Sequence, residues 1–489
     1  MPPLNYEDHA AIYAAALVFG VHLLAGTLAG VGAQVSHQCR LGFATLIAGV
    51  IILPKGPTLT KIAAAFGLQS HDTLRRALLD ETWQPRTLMT VLVQCLSPFF
   101  RTWMGLGPGY LILDDVLLPK PFSRVMESAY YLHDYVRGRK SWCICLVVLV
   151  WSNGVVTVPL GFALWHQKGS PYLAAQNQAY QTKRELAQEL IQQVLEAQVP
   201  FDYITFDSWY AARSFLQWLH REKRLRFVTA LCCTTNIRWL IAPADRKRWG
   251  GGGRPPCYVT EACQNLVPGI GLPSFSSYPT LGLRAKAGRV NLRSVSAPEQ
   301  TDLTLVIIPN YRKKRKEWAQ KEPKQFRHRH KYLLTNIPDW NVRQIIEGYQ
   351  SRWDIEVLFR NLKQFLGLEA GQARRVAPME RHVTLCLVSY TALALLREEL
   401  RPQWDEGREP LTIGAVKRYL QQQAVTITAE GQVSLHPRPA LPRATMEAIG
   451  EAAARLSSPN VFPSDFDRFI DRTIHLSTAS RGLCVSPKV

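Results

Sequence analysis

Apolar positions along this chain follow two different periods. Tyr110 to Leu113 is a short apolar run behind a Gly/Pro turn, the pattern of a buried strand, and it ends in Asp114-Asp115. From Ser141 to Gln167 (SWCICLVVLVWSNGVVTVPLGFALWHQ) there is no charge, and Asn153-Gly154 divides the stretch into the two arms of a β-hairpin. Lys183 to Ala197 (KRELAQELIQQVLEA) returns to the helical period and predicts an amphipathic crossover helix. Phe201–Phe206 and Phe227–Cys232 read as further strands, with an amphipathic helix from Tyr210 between them. Strand, hairpin, helix, strand, helix and strand in succession predict an α/β core with a mixed sheet.

The flanks have a different texture. Residues 1 to about 100 predict helices. Within them Thr60–Phe66 and His71–Leu79, joined around Gly67, have the form of a helix-turn-helix unit, which would bring Lys61, Arg75 and Arg76 to DNA. A plain helical hairpin accounts for the same pattern equally well. Residues 9–39 carry no Asp, Glu, Lys or Arg, and their length would suit a membrane span. His22, Gln34, several glycines and the absence of any preceding Lys or Arg point instead to a buried helix or helix pair, and to a protein with no membrane partner. After Lys363 the chain continues in helices, including the apolar run Val383–Leu396, and a Pro-rich break falls at 436–443.

Charge changes the picture from a fold to a partner. Fifty-eight Lys and Arg face 38 Asp and Glu, a net charge of +20, which calls for a polyanion. The basic residues do not gather on one amphipathic helix, so nucleic acid is favoured over an anionic membrane. Ten Cys without a signal peptide suggest reduced thiols in a cytoplasm. Cys143 and Cys145 fall on one face of a strand, and the remaining Cys spacings lack a paired CxxC zinc motif.

The residues most informative about chemistry lie in YQSRWDIEVLFRNLK. Tyr349, Arg352, Glu356 and Lys363 are spaced by three, four and seven, which places all four on one face of a single helix. A carboxylate flanked by two cations on one stripe suits a group that holds a metal beside groups that hold phosphates. This pattern resembles the Tyr-Arg-Glu-Lys signature of bacterial insertion-sequence DDE transposases, the insertion sequence four family. The resemblance covers roughly residues 105–395 and implies a ribonuclease H-like catalytic core with two further acids upstream. The first would be Asp114, with Asp115 the alternative, since Val116 stands where the family commonly has Thr or Ser. Strand alternation allows only one of the two to face the site. The second would be Asp207, in the Asp207-Ser208-Trp209-Tyr210 context, although a helix N-cap would explain the same residue.

The resemblance implies that Asp114, Asp207 and Glu356 hold two Mg²⁺ ions, with Mn²⁺ able to substitute, and that Tyr349, Arg352 and Lys363 contact phosphates. It further implies cleavage and joining of double-stranded DNA, at transposon ends and at a target, by a homodimer associated with the bacterial nucleoid. A catalytically retired DNA-binding regulator and a nuclease without strand transfer are the alternatives. The 149 positions between Asp207 and Glu356 exceed a basic core, and the matching family members carry a β-rich insertion there. The expected organisation is a helical DNA-binding domain (1–104), a first part of the core (105–234), a β-rich insertion domain (235–335), a second part of the core (336–398) and a C-terminal region (399–489). Within the insertion, YRKKRKEWAQKEPKQFRHRHK sets ten Lys and Arg against two Glu and reads as a DNA-facing arm. The resemblance also makes Trp318 and Trp249 candidates to stack on a flipped base.

Overall fold

The computed structural model describes residues 37–53, 57–66, 70–79, 83–134 without Arg124, 138–232, 276–290 without Gly282, 302–309, and 330–429 without 402–403 and 405–409, together with Thr235, Leu292 and Val295. Most of the uncharged segment 9–39, Trp249, the bulk of the basic arm with Trp318, and the Pro-rich break at 436–443 lie outside the described residues. The chain divides into two compact units, a helical one (1–95, 123–126, 361–489) and one built on a sheet (96–122, 127–360).

Ten described strands make the sheet: β1 (Tyr110–Pro119), β2 (Ala129–Asp134), β3 (Arg139–Ser152), β4 (Thr157–Trp165), β5 (Tyr203–Phe206), β6 (Phe227–Leu231), β7 (Ser276–Tyr278), β8 (Leu283–Val290), β9 (Leu303–Pro309) and β10 (His330–Thr335). Their order is β2-β3-β1-β5-β6-β10-β9-β8-β7, with β4 also on β3. β1, β5 and β6 are parallel neighbours, whereas β3 is antiparallel to β1 and β4 is antiparallel to β3. The sub-order β4-β3-β1-β5-β6 with these directions is that of a ribonuclease H-like core, so the α/β class read from the sequence holds. The described strands of 276–335 prolong the same sheet, through β10 paired to β6.

Local chemistry explains why these segments take these forms. The β3–β4 hairpin turns at Asn153-Gly154, where Gly154 adopts φ +82° and Asn153 Oδ1 accepts from the amides of Val155 (3.0 Å) and Val156 (2.8 Å). A side chain at that φ would be strained, which is why glycine occupies it. The crossover helix α6 (Lys183–Glu196) opens with a capping box between Thr182 and Glu185 and buries Leu186, Ala187, Leu190, Ile191 and Val194 against β3 and β4. Each buried Leu, Ile or Val there contributes about 1.5–3 kcal/mol.

Three sequence expectations need correction. The strand carrying the first acid does not end at Asp114-Asp115; β1 continues to Pro119 because β3 pairs with it along its whole length. The helix after Asp207 does not begin at Tyr210. That side chain is fully buried in a turn, and the helix α7 (Arg213–Gln217) follows, passing into a π-helical turn at Trp218–Glu222. The Tyr-Arg-Glu-Lys segment is not one helix. It is α8 (Val342–Gln350) and α9 (Trp353–Phe365), joined at Ser351-Arg352 by tighter bonds from Arg352 N to Tyr349 O (3.2 Å) and from Asp354 N to Ser351 O (3.1 Å). Polar ties to the sheet, described below, hold the joint at that place.

The other described α-helices are α1 (His37–Ile52), α2 (Leu59–Phe66), α3 (His71–Leu79), α4 (Pro85–Met104), α5 (Pro171–Ala175), α10 (Val376–Leu400) and α11 (Ile413–Ala429). α2 and α3 fall where the sequence put the helix-turn-helix pair. Thr58 Oγ1 accepts from Lys61 N (3.2 Å), and Ser70 Oγ accepts from Thr73 N (3.2 Å), so each helix starts on a hydroxyl cap. Ile62, Leu74 and Ala77 are buried, whereas Lys61, Arg75 and Arg76 are exposed. Lys417 is buried and donates to the carbonyls of Val50 (2.8 Å) and Phe365 (2.9 Å). Among the described residues no helix is long and apolar enough to cross a membrane.

Candidate active site

The last residue pair of the parallel β1/β5 ladder is Leu113 with Phe206. The next residues on the two strands are Asp114 and Asp207. Asp114 and Asp207 therefore each follow directly on the last paired residues of two neighbouring parallel strands. Beyond Leu113, β1 has no β5 partner and pairs with β3 alone.

Alternation separates Asp114 from its neighbour. The Asp114 carboxylate accepts from Arg352 Nη1, and it also accepts from the Asp115 amide (2.9 Å). Arg352 reaches Glu356 Oε1 as well, at 3.3 Å from both Nη1 and Nη2. The guanidinium thus bridges two carboxylates, a charge-assisted arrangement stronger than a neutral hydrogen bond. Burial pushes the Asp114 carboxyl up to about 8 against the pull of Arg352, and the nearby Asp115 and Glu356 charges push the same way as burial. Asp115 faces elsewhere. Its Oδ2 accepts from Lys183 Nζ (2.8 Å) and the Cys145 thiol (3.6 Å), and its Oδ1 accepts from the Tyr210 hydroxyl (3.3 Å).

Cations and an aromatic ring complete the Asp114 side. Lys331 Nζ, on β10, lies 4.3 Å from the centre of the Tyr349 ring. Loss of hydration and the Arg352 charge lower the Lys331 pKa, while Asp207 opposes the shift. Tyr349 is buried, which pushes its hydroxyl up to about 12, so it remains a hydrogen-bond donor at neutral pH. Asp207 acts electrostatically on Arg352, Tyr349 and Lys331, which places it in the same group.

The joint is pinned from below. Asp354 Oδ2 accepts from the Tyr110 hydroxyl (2.7 Å) and the Ser152 hydroxyl (2.7 Å), which ties the first turn of α9 to β1 and β3. Ser351 Oγ donates to Gly348 O (2.7 Å) and pairs with the Tyr203 hydroxyl on β5 (3.1 Å). A side chain at Gly348 would clash with the Trp340 ring, so α8 packs close at that point.

The residues expected from the sequence are therefore distributed in three ways. Asp114, Asp207, Tyr349, Arg352 and Glu356 come together. Lys363 lies farther along α9, within the helical unit, where it pairs with Glu369 (3.1 Å). Arg75 and Arg76 are exposed on α3 in the helical unit, and Trp318 is outside the described residues. Lys331, Asp354, Lys183 and Arg184 were not singled out from the sequence. Lys331 closes the basic run and Asp354 sits inside the signature, but nothing in a linear pattern distinguishes either from a solvated charge.

Metal fit can be judged from the donors. All three carboxylates offer hard oxygen ligands, and a cationic group, the Arg352 guanidinium, already lies between Asp114 and Glu356. The position therefore accepts positive charge. Among the described residues no three of His, Cys, Asp or Glu are drawn together as a ready-made metal cage, in keeping with Arg352 standing between two of the acids.

No curated protein matches the chain. A family model, described as DDE superfamily endonuclease, matches residues 33–277. That span is half of the chain and contains Asp114 and Asp207, which follow the last pair of the parallel β1/β5 ladder in a ribonuclease H-like sheet; the chain belongs to the DDE superfamily endonucleases.

Proposed function

We propose that this protein is a DNA transposase of the insertion sequence four type, which cuts the ends of its element and joins them to target DNA. The observation that supports the reading is the Arg352 bridge between Asp114 and Glu356, with Asp114 and Asp207 following the last pair of the β1/β5 ladder. Asp114, Asp207 and Glu356 are the residues that would hold Mg²⁺, or Mn²⁺ in its place. When bound, the ions would activate the attacking oxygen and stabilise the leaving one in an in-line displacement at phosphorus.

The chain's own residues do the rest. Tyr349, Arg352 and Lys331 present donors and positive charge to the phosphate beside the acids, with Arg352 able to engage it bidentately. Arg352 must leave the Asp114–Glu356 gap for those oxygens to turn to another cation. A phosphate arriving beside it offers the guanidinium a new anion, which favours that move. Lys363 would contact DNA farther along α9. Arg75 and Arg76 would contact it from the helical unit, and Trp318 from the basic arm. A homodimer acting on two ends fits the same reading.

The test is a gel assay of the purified protein with Mg²⁺ and its own flanking DNA ends, wild type beside Glu356→Gln. Cleavage and strand transfer by the wild type, both lost in the variant with end binding retained, are expected. Full cleavage by the variant would overturn the assignment, and cleavage without strand transfer would reduce the protein to a nuclease.

A further inference from the structure

Charge stands at the wrong end of α6. Its first turn carries Lys183 and Arg184, next to the positive end of the helix dipole. A cation there is disfavoured by the dipole, and the one acid of that turn, Glu185, is engaged in the capping box with Thr182. Lys183 has its compensation in Asp115, at 2.8 Å. Arg184 has no carboxylate partner among the described residues. Its guanidinium lies 4.6 Å from the centre of the Trp209 ring, and Nη2 donates to the Trp209 carbonyl at 2.8 Å. Its Nε–H is buried and meets no acceptor among the described residues. Trp209 is itself unusual. It is 42 % exposed, and it follows the active-site Asp207 by two residues. Lys183 Nζ also approaches this ring, at 5.1 Å, so the indole supports two cations beside the acids.

An arginine without a carboxylate partner among the described residues, an unmet donor and an exposed tryptophan stand together at one spot. Such clustered violations mark function rather than stability. We infer that Arg184, held flat on Trp209, is a phosphodiester-binding residue for the DNA strand that runs to or from the acidic site. The ligand class follows from the chemistry: a guanidinium braced by an aromatic ring and lacking a carboxylate partner among the described residues recognises an anion, and phosphate is the anion that DNA presents. This inference rests on the DNA reading above and adds a contact on the Asp207 side of the site, opposite in sequence to the Tyr349–Arg352 side.

The experiment is fluorescence anisotropy of a labelled duplex carrying the element's end, over a salt series from about 50 to 200 mM, for wild type, Arg184→Gln, Arg184→Lys and Trp209→Ala. Loss of one phosphate contact lowers the salt slope by about one and weakens binding uniformly across sequences. Arg184→Gln is expected to show that loss, Arg184→Lys to retain most of the slope, and Trp209→Ala to weaken binding several-fold because the arginine is no longer held. Thermal melting of each variant excludes misfolding. An unchanged slope in a well-folded Arg184→Gln, with normal wild-type binding, would overturn this inference alone. Wild-type protein that binds DNA without salt dependence would overturn it together with the DNA reading.

Discussion

Asp354 touches neither the acids nor Arg352 through any bond described above, yet the geometry makes it the anchor of the signature. One carboxylate oxygen accepts two hydroxyls, Tyr110 and Ser152, each at 2.7 Å. A hydrogen bond to a charged acceptor contributes about 1.5–3 kcal/mol, and two that share one oxygen add less than twice that. Asp354→Ala should therefore destabilise the protein by about 3 kcal/mol, with the Tyr110 and Ser152 hydroxyls left without their shared charged acceptor. In a unit of this size that is a fall in Tm of roughly 6–12 °C. Tyr110→Phe removes one of the two bonds and should cost about 1.5 kcal/mol. The two substitutions delete a shared contact, so the double variant should show a coupling of about 1–2 kcal/mol. Denaturant or thermal unfolding of the three variants measures it. The catalytic consequence is separate: Arg352 and Glu356 flank Asp354 by two residues each, and a shift of about 1 Å in the start of α9 should cut cleavage by about a hundredfold. Additivity of Asp354→Ala and Tyr110→Phe to within about 0.5 kcal/mol would refute the anchor.

Two further outcomes follow from the same geometry. Asp114→Asn should lose cleavage and keep near-native melting, whereas Asp115→Asn should keep measurable cleavage and lose about 2–4 kcal/mol of stability, because Lys183 would be left without its partner; the reverse pattern, read from paired cleavage and melting assays, would exchange their roles. Burial holds Lys417 down at about 8, below its ordinary 10.5, so between those values the unfolded chain binds a proton that the folded chain does not. Stability of the helical unit should then rise from pH 8 toward pH 10.5, by at most about 1.4 kcal/mol per unit, and Lys417→Met should abolish the rise; a flat wild-type profile in denaturant titrations would contradict it.

What the sequence determined by itself is whatever depends on neighbours along the chain. The uncharged β3–β4 hairpin, its Asn153-Gly154 turn, the amphipathic crossover helix α6 and the α2–α3 pair are all local, because period and turn chemistry act over a few residues. The same locality made the acids visible: Asp114 closes an apolar run, and Asp207 stands where a strand gives way to a turn. Spacing also picked out Tyr349, Arg352 and Glu356, although the single helix inferred from it was wrong. The break at Ser351-Arg352 coincides with bonds from Ser351 and Asp354 to Tyr203, Tyr110 and Ser152, partners 148 to 244 positions away that no local pattern contains. The same holds for the choice between Asp114 and Asp115. Adjacent residues on a strand are equivalent in sequence, and only the sheet decides that one meets Arg352 while the other meets Lys183. Lys331 and Arg184 stayed hidden for a related reason. A charge reads as solvated until folding shows which ring it lies on and which counter-charge it lacks.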